Sequence, residues 1–454
     1  MGCEEVFSGA LVGVLLGKDQ PKRGEHSPLD TSFSLLGSPS MGPDWDLALG
    51  RGVLFAGSPL DGAVRAYPLD TELQLGQSNA DGVIQSEGSQ DGFGAAVALL
   101  PDFDGDGARD LLIGAPTFTV AQTTRHDGAL YLMSGAGEGI FGAKTAQEAR
   151  IRIAGEDAGG RLGDRIFACG DVDGDGLGDF AATAPWDDAG ANLAGRVVLG
   201  LSHLLTDLPS QVLAGAIGPS WVGADTGAKA GWSVACTHDL DGDGTPDLLI
   251  GAPFSDSEDG DGVGAVYMIR GTADPMPGPL FATAHRVVLG ERAADWLGWG
   301  IATGDLDGDG LVDVAISSPG RSGGLGQIKV WTEASFMDPG ASPSYRITGE
   351  LEADGFGRGL AMADLNGDGL DELLVGAPFV NPEQDDATYD SGKLYVFRGQ
   401  EDMDDWTRQM TGADARLRYI VGQQYLRTGQ LIRTGDVDGD GRADLALLHR
   451  TDPS

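Results

Sequence analysis

Six nine-residue loops of the form D-x-[DN]-G-D-G-x-x-[DE] recur along this 454-residue chain, beginning at Asp102, Asp171, Asp239, Asp305, Asp364 and Asp436. Their spacings are 69, 68, 66, 59 and 72 residues, and a short apolar run follows each loop directly. Any fold that accepts this pattern must repeat one unit with that period and present the same acidic turn each time.

When such a loop bends tightly, side-chain oxygens at positions 1, 3, 5 and 9 and the backbone carbonyl of position 7 converge on one point. The predicted ligand sets are Asp102, Asp104, Asp106, Ala108 and Asp110 in the first loop, and Asp171, Asp173, Asp175, Leu177 and Asp179 in the second. The third uses Asp239, Asp241, Asp243, Thr245 and Asp247, and the fourth Asp305, Asp307, Asp309, Leu311 and Asp313. The fifth uses Asp364, Asn366, Asp368, Leu370 and Glu372, and the sixth Asp436, Asp438, Asp440, Arg442 and Asp444. Two glycines per loop permit the bend, because they reach positive φ without a Cβ clash.

All-oxygen ligation rich in carboxylates suits Ca²⁺, which accepts six to eight ligands, better than Mg²⁺, which demands strict octahedral geometry. The loops offer none of the Cys or His ligands that zinc favours. Two carboxylates about 4 Å apart repel by roughly 4 kcal/mol at an effective dielectric of 20. One Asp-Gly loop could be an ordinary solvated turn; six near-copies imply about six bound Ca²⁺ ions. An EF-hand would need Glu at position 12, where this chain has Ile113, Ala182, Ile250, Ile316, Val375 and Leu447. Strand-like flanks exclude dockerins, and the wide spacing excludes thrombospondin-like arrays.

The runs after the loops, Leu111–Pro116, Phe180–Pro185, Leu248–Pro253, Val314–Pro319 and Leu373–Pro378, read as buried strands stopped by proline. An apolar-Gly pair precedes most loops: Phe93-Gly94, Leu162-Gly163, Leu297-Gly298 and Phe356-Gly357. Third strands are predicted at Gly128–Met133, Gly264–Ile269 and Gly392–Phe397, and fourth strands at Ala149–Ile153, His285–Leu289 and Ser344–Thr348. Four strands per unit without sustained helical periodicity predict an all-β, seven-bladed β-propeller. The last unit stops after Ala443–Leu448, and its missing strands match Gly9–Leu16 and Thr31–Leu36, so one blade is shared by the two ends of the chain. The expected organisation is a single domain over 1–454. Its seventh blade combines about 426–450 with 6–37, and a first blade at about 38–90 contains Val53–Pro59 and Gly62–Tyr67 but no metal loop.

Together, the apolar-Gly pairs, the Gly-Ala-Pro endings, the acidic loops and the closing strand resemble the integrin α-chain propeller and its bacterial FG-GAP relatives. The resemblance implies calcium loops on a lower face and ligand contacts on an upper one. Integrin α chains usually carry such loops only in later blades, whereas six of seven units have them here. Those chains continue into stalk domains and a membrane span without counterpart in this sequence, so pairing with a β subunit is not carried over.

The formal net charge is −39, and six divalent ions would offset twelve of these charges. The remaining excess disfavours nucleic acid and anionic membrane as partners. Sites of this kind suggest an extracellular, cell-surface or periplasmic setting, where abundant Ca²⁺ fills modest-affinity loops. Gly2-Cys3 followed by acidic residues resembles the end of a bacterial lipobox, which would place a lipid anchor at Cys3; the alternative is an incidental cysteine. Cys169 and Cys236 precede successive loops and read as buried free thiols rather than a disulfide.

No HExxH, GxSxG, P-loop or Rossmann context is present, and the six histidines show no metal spacing. The expected activity is therefore non-enzymatic: a calcium-dependent recognition or adhesion module, monomeric, with a protein or glycan ligand. The alternatives are a lectin or carbohydrate-active enzyme on the same scaffold, and a purely structural scaffold. The candidate ligand surface holds Arg125, His126, Trp186, Asp187, Asp188, Phe254, Asp256, Asp385 and Tyr389 after second strands, and Trp221, Glu291, Trp296 and Glu352 before first strands. Aromatics beside carboxylates would suit sugar rings or a basic side chain, although Trp232 and Trp296 are expected to pack between blades.

Overall fold

The computed structural model describes residues 11–17, 29–36, 46–68, 80, 82–88, 90–103, 106–119, 126–135, 142–223, 225–258, 260–381, 390–400, 406–407, 409–415, 417–420, 427–437 and 439–449. Cys3, Asp104, Arg125, Asp385, Tyr389 and Asp438 lie outside these residues. The chain is all-β: the described residues form seven sheets of four or five strands with only short helical turns among them. Among the described residues no helix is long and apolar enough to cross a membrane.

Each sheet is an antiparallel meander. The second begins with Ala96–Leu100, Asp110–Ala115, Ala129–Met133 and Ile151–Ala154, and the fourth runs Ser233–Ala235, Leu248–Ala252, Ala265–Ile269 and Arg286–Leu289. The unit without a metal loop builds the same meander from Leu47–Gly50, Val53–Ser58, Ala63–Pro68 and Gly82–Gln85. Second strands such as Leu248–Ala252 are buried at every residue, as continuous apolar runs between two packed neighbours should be. In the last sheet Leu11–Gly17 pairs antiparallel with Asp444–His449, Leu11 opposite His449 and Leu15 opposite Leu445. Leu29–Leu36 then pairs with Leu11–Gly17 as its outer strand.

Four sheets carry a fifth strand that the sequence reading did not anticipate. Gly142–Thr145 pairs parallel with Gly82–Gln85 of the preceding unit, and Gln211–Leu213, Gly278–Pro279 and Gln409–Thr411 do the same for the sheets before them. These short linker strands cover edges that would otherwise be open.

First strands of consecutive sheets lie side by side. Leu47–Gly50 neighbours both Ala96–Leu100 and, across the ends of the chain, Leu431–Gly435. A close approach of backbone sets this packing. A Cβ on Gly114 would lie 2.1 Å from the carbonyl oxygen of Gly163, and one on Gly376 would lie 1.9 Å from that of Gly429. The glycine of each Gly-Ala-Pro ending is thus the seat for the glycine of the next apolar-Gly pair. The apolar partners, Phe93, Leu162, Leu297 and Phe356, are buried in the core.

The junction between the third and fourth sheets carries a covalent link. Cys169 and Cys236 form a disulfide with Cα atoms 4.8 Å apart, and the Gly170 N–H donates to the Cys236 carbonyl (3.1 Å). This corrects the reading of two free thiols. Each cysteine directly follows an innermost strand, and neighbouring sheets bring these equivalent positions face to face. Closing a loop of 67 residues should stabilise the chain by about 2–4 kcal/mol, largely by restricting the unfolded state. The Cys169→Ala/Cys236→Ala protein should therefore unfold at a lower urea midpoint, with a slope no shallower than wild type because its unfolded chain is less restricted, and an unchanged midpoint would show the link to be thermodynamically idle.

Candidate functional site

The acidic loops connect first to second strands, so all six hang from the same edge of their sheets. One hydrogen-bond template builds each of them. The carboxylate of position 9 accepts from the N–H of position 2: Phe103 to Asp110 (2.8 Å), Val172 to Asp179 (2.9 Å), Leu240 to Asp247 (2.8 Å), Leu306 to Asp313 (2.7 Å), Leu365 to Glu372 (3.0 Å) and Val437 to Asp444 (2.7 Å). The position-1 carboxylate accepts from the N–H of position 6, as from Gly107 to Asp102 (2.8 Å) and from Gly244 to Asp239 (2.7 Å). Position 5 accepts from position 7, as from Leu177 to Asp175 (2.7 Å) and from Leu311 to Asp309 (2.8 Å). Glycines of the loops take positive φ, 79° at Gly242 and 100° at Gly244 in the third.

This template brings carboxylates together. Oxygens of Asp171, Asp173 and Asp179 lie within 4.8 Å of one another, as do those of Asp239, Asp241 and Asp243 and those of Asp305, Asp307 and Asp313. Position 9 is buried in all six loops. Burial pushes the Asp179 carboxyl up to about 7, Asp247 to about 6 and Glu372 to about 7 against the hydrogen bonds that oppose it. A divalent cation among these oxygens would reverse that penalty. In the fifth loop Asn366 Nδ2 donates to Glu372 (2.5 Å), leaving its buried Oδ1 without a donor. An orphaned acceptor in an all-oxygen set fits a hard divalent ion.

Basic side chains reach several loops. Arg270 pairs with Asp241 (2.7 Å) and Arg398 with Asp368 (3.0 Å). His203 Nδ1 lies 2.8 Å from Asp173 and 3.2 Å from Asp175. The sequence placed no histidine near a loop. His203 comes from the short helix Ser202–Leu205 after the third strand, a proximity with no signature in spacing.

The opposite edge carries a different chemistry. The residues flanking each apolar-Gly pair and those following each Pro meet there in a continuous arc. Arg161 lies over Trp186 (5.1 Å), Lys229 over Trp186 (3.8 Å) and Phe254 (5.1 Å), and Arg165 over Trp232 (4.4 Å). Trp232 packs on Trp299 (4.9 Å) and Trp296 on Trp299 (6.0 Å). Arg358 then lies over Trp299 (4.6 Å) and Phe379 (4.9 Å), and Arg427 over Phe379 (5.5 Å). These aromatic rings are half-buried. Trp232 and Trp296 thus do contact a neighbouring sheet, but at the rim of the core.

Several expected surface residues lie elsewhere. Trp221 is fully buried in Ser220–Val222, its Nε1 donating to the Met276 carbonyl (2.9 Å). Glu291 is held by Arg321, Lys329 and Arg346 at 2.8–3.0 Å. Asp187 is buried against Arg196 (3.0 Å). His126, Asp188, Asp256 and Glu352 are exposed. The sequence reading did not single out Lys229, Trp299, Arg358 or Phe379; the position beside each apolar-Gly pair was their only signal.

With this geometry in view, the chain is an all-β repeat protein with acidic, cation-suited loops on one edge. It matches the FG-GAP repeat family over residues 93–133, 230–268, 297–331 and 356–397. It is an integrin-like FG-GAP repeat protein. Integrin alpha-PS2 of Drosophila melanogaster is 32% identical over 247 residues, 48% of this chain and 16% of that protein. Integrin alpha-IIb of Homo sapiens is 35% identical over 164 residues, 35% of this chain and 14% of that one. Phosphatidylinositol-glycan-specific phospholipase D of Rattus norvegicus is 24% identical over 401 residues, covering 80% of this chain and 44% of the enzyme. The matched region is therefore under half the length of each relative. The WD40 domain of Toxoplasma gondii coronin aligns with 99% of the chain at a TM-score of 0.49 and 11% identity.

One carboxylate beside the arc gives a pH test free of any metal. Asp354 is buried and its carboxyl is pushed up to about 6, mainly by desolvation. The native pKa lies above the unfolded value near 4, so the cost of ionising it is absent below pH 4 and fully present once pH has risen through 6. Asp354→Asn should therefore stabilise the protein at pH 8, by roughly 3 kcal/mol, and leave it unchanged at pH 4. Equal effects at both pH values in thermal melts would contradict this assignment.

Proposed function

We propose that residues 1–454 form one seven-bladed, closed β-propeller that binds about six Ca²⁺ ions, and that it serves as a recognition or adhesion module outside the cytoplasm. The observation that carries the reading is the identical hydrogen-bond template of six loops, each with a buried position-9 carboxylate. The predicted ligand sets supply hard oxygens throughout, and sites of this composition fill at extracellular calcium levels. The Cys169–Cys236 disulfide supports an oxidising compartment. Propeller closure is supported by the Leu11–Gly17 pairing with Asp444–His449. The similarity to integrin alpha chains supports recognition, with the ligand on the edge opposite the metal loops, rather than turnover.

Atomic absorption on protein equilibrated by dialysis against millimolar Ca²⁺, with the buffer's own calcium subtracted, should count about six calcium ions per chain. Asp241→Ala should lose one and keep the rest, since its loop shares no ligand with the others. Each site held at a hundredfold excess over its Kd adds about 2.7 kcal/mol, so EDTA should lower the melting temperature well beyond any single substitution. An unaltered count in Asp241→Ala, or a melting temperature indifferent to EDTA, would sink the calcium assignment.

A further inference from the structure

The residue before each apolar-Gly pair, and before the equivalent Ala230-Gly231 and Thr428-Gly429, takes a left-handed backbone. Its φ is 72° at Gly92, 59° at Arg161, 51° at Lys229, 56° at Trp296, 70° at Gly355 and 46° at Arg427. Glycine occupies this conformation freely, and two repeats use it. The other four place large side chains where L residues are strained, and three of the four are cations. Strained residues of this kind persist only where their surroundings hold them, and they concentrate at ligand sites. All four side chains enter the same aromatic arc.

The arc's chemistry restricts what can bind. Aromatic faces attract cations, but here the chain's own Lys229 and Arg358 already cover them, so an incoming basic group would meet like charge. Among the described residues no carboxylate pairs with Arg161, Lys229 or Arg358, whereas Arg165 lies 3.9 Å from Asp164 and Arg427 pairs with Asp390 (3.2 Å). The unused valence is mostly of donors: Arg165 Nε, Arg358 Nε and Trp232 Nε1 are buried without an acceptor, against one orphaned acceptor, Gln430 Oε1, at the end of the arc. Five residues, the cations Arg161, Lys229 and Arg358, which no described carboxylate contacts as an ion pair, and the orphaned donors of Arg165, Arg358 and Trp232, favour an anion, and the indole plates between them favour a flat apolar face. The net charge of −39 does not forbid this, because remote carboxylates are screened beyond about 8 Å at physiological salt.

We propose that the arc binds an acidic glycan built from uronic acid units, with a pyranose face on Trp296, over which no resident cation lies among the described residues, and carboxylates on Lys229 and Arg358. This deepens the recognition reading above and rests on it. An acidic peptide would answer the charges but leave the indole plates without a matching ring. A basic ligand is excluded by the resident cations.

The test uses the full calcium-loaded chain, with tryptophan fluorescence as readout. The probes are a galacturonic acid trimer, a galactose trimer and a glutamate trimer. The galacturonic acid trimer should bind, weakening as salt rises, and the other two should bind about tenfold more weakly or worse. Lys229→Ala and Arg358→Gln should each weaken the acidic sugar about tenfold while bound calcium and melting temperature stay at wild-type values. Equal binding of the glutamate trimer, silence toward the galacturonic acid trimer, or wild-type affinity in both variants overturns the proposal. Calcium content is measured on the same samples. A correct ion count with a silent arc sinks only the glycan assignment, and a wrong count sinks the metal reading independently.

Discussion

The contact on which the rest of the molecule depends is the glycine seat between successive sheets. Gly57 faces Gly94, Gly114 faces Gly163, Gly251 faces Gly298 and Gly376 faces Gly429, each pair close enough that a Cβ on the first would meet a carbonyl oxygen at 1.9–2.3 Å. In the third and fifth sheets Thr183 and Ser317 take the same seat against Gly231 and Gly357. The two sequence signatures, apolar-Gly and Gly-Ala-Pro, are therefore opposite halves of one interface. The second half is glycine at each of these six junctions, and a Cβ there would lie 2.6–2.9 Å from its nearest neighbour, so a larger residue would push the backbones apart and tilt every later sheet. With the seat fixed, the turn from first to second strand always falls on one edge. The residues flanking each apolar-Gly pair always fall on the other.

Electrostatics divide along the same line. The loop edge concentrates carboxylates, several of them buried far enough to resist ionisation, an arrangement suited to divalent charge. The arc edge concentrates Arg161, Arg165, Lys229, Arg358 and Arg427 on aromatic faces. In a chain with only 30 lysines and arginines against 69 acids, five cations in one arc are a local reversal of sign. Folding alone gives no reason for them, because glycine would occupy three of the backbone positions next to the arc with less strain.

Periodicity made much of this legible in advance. The acidic loops, the Pro-terminated strands and the complementary chain ends announce themselves in sequence, because each is a local string repeated at a fixed distance. What escaped detection depends on contacts between units. Cys169 and Cys236 are 67 residues apart, and only the packing of neighbouring innermost strands reveals that they face each other. Trp221 sits before a first strand like Trp296, yet the strand Ser220–Val222 turns it inward. The strain at Lys229 and Arg427 is a property of φ, and no composition or spacing reports it. Parallel linker strands such as Gln211–Leu213 are too short to stand out from the loops around them.

The separation of the two edges limits how calcium can influence a ligand. A second strand such as Glu372–Ala377 has six residues, and at about 3.3 Å per residue it holds its two ends roughly 20 Å apart. An ion among Asp364, Asn366 and Glu372 therefore cannot bridge to a group bound beside Phe379. Its influence must pass through the strand that links them, by holding Glu372 and the glycine seat at Gly376 in register beneath Phe379 and Arg358. A cation held there would support a surface it does not touch, and residues of the arc could vary without disturbing an acidic loop.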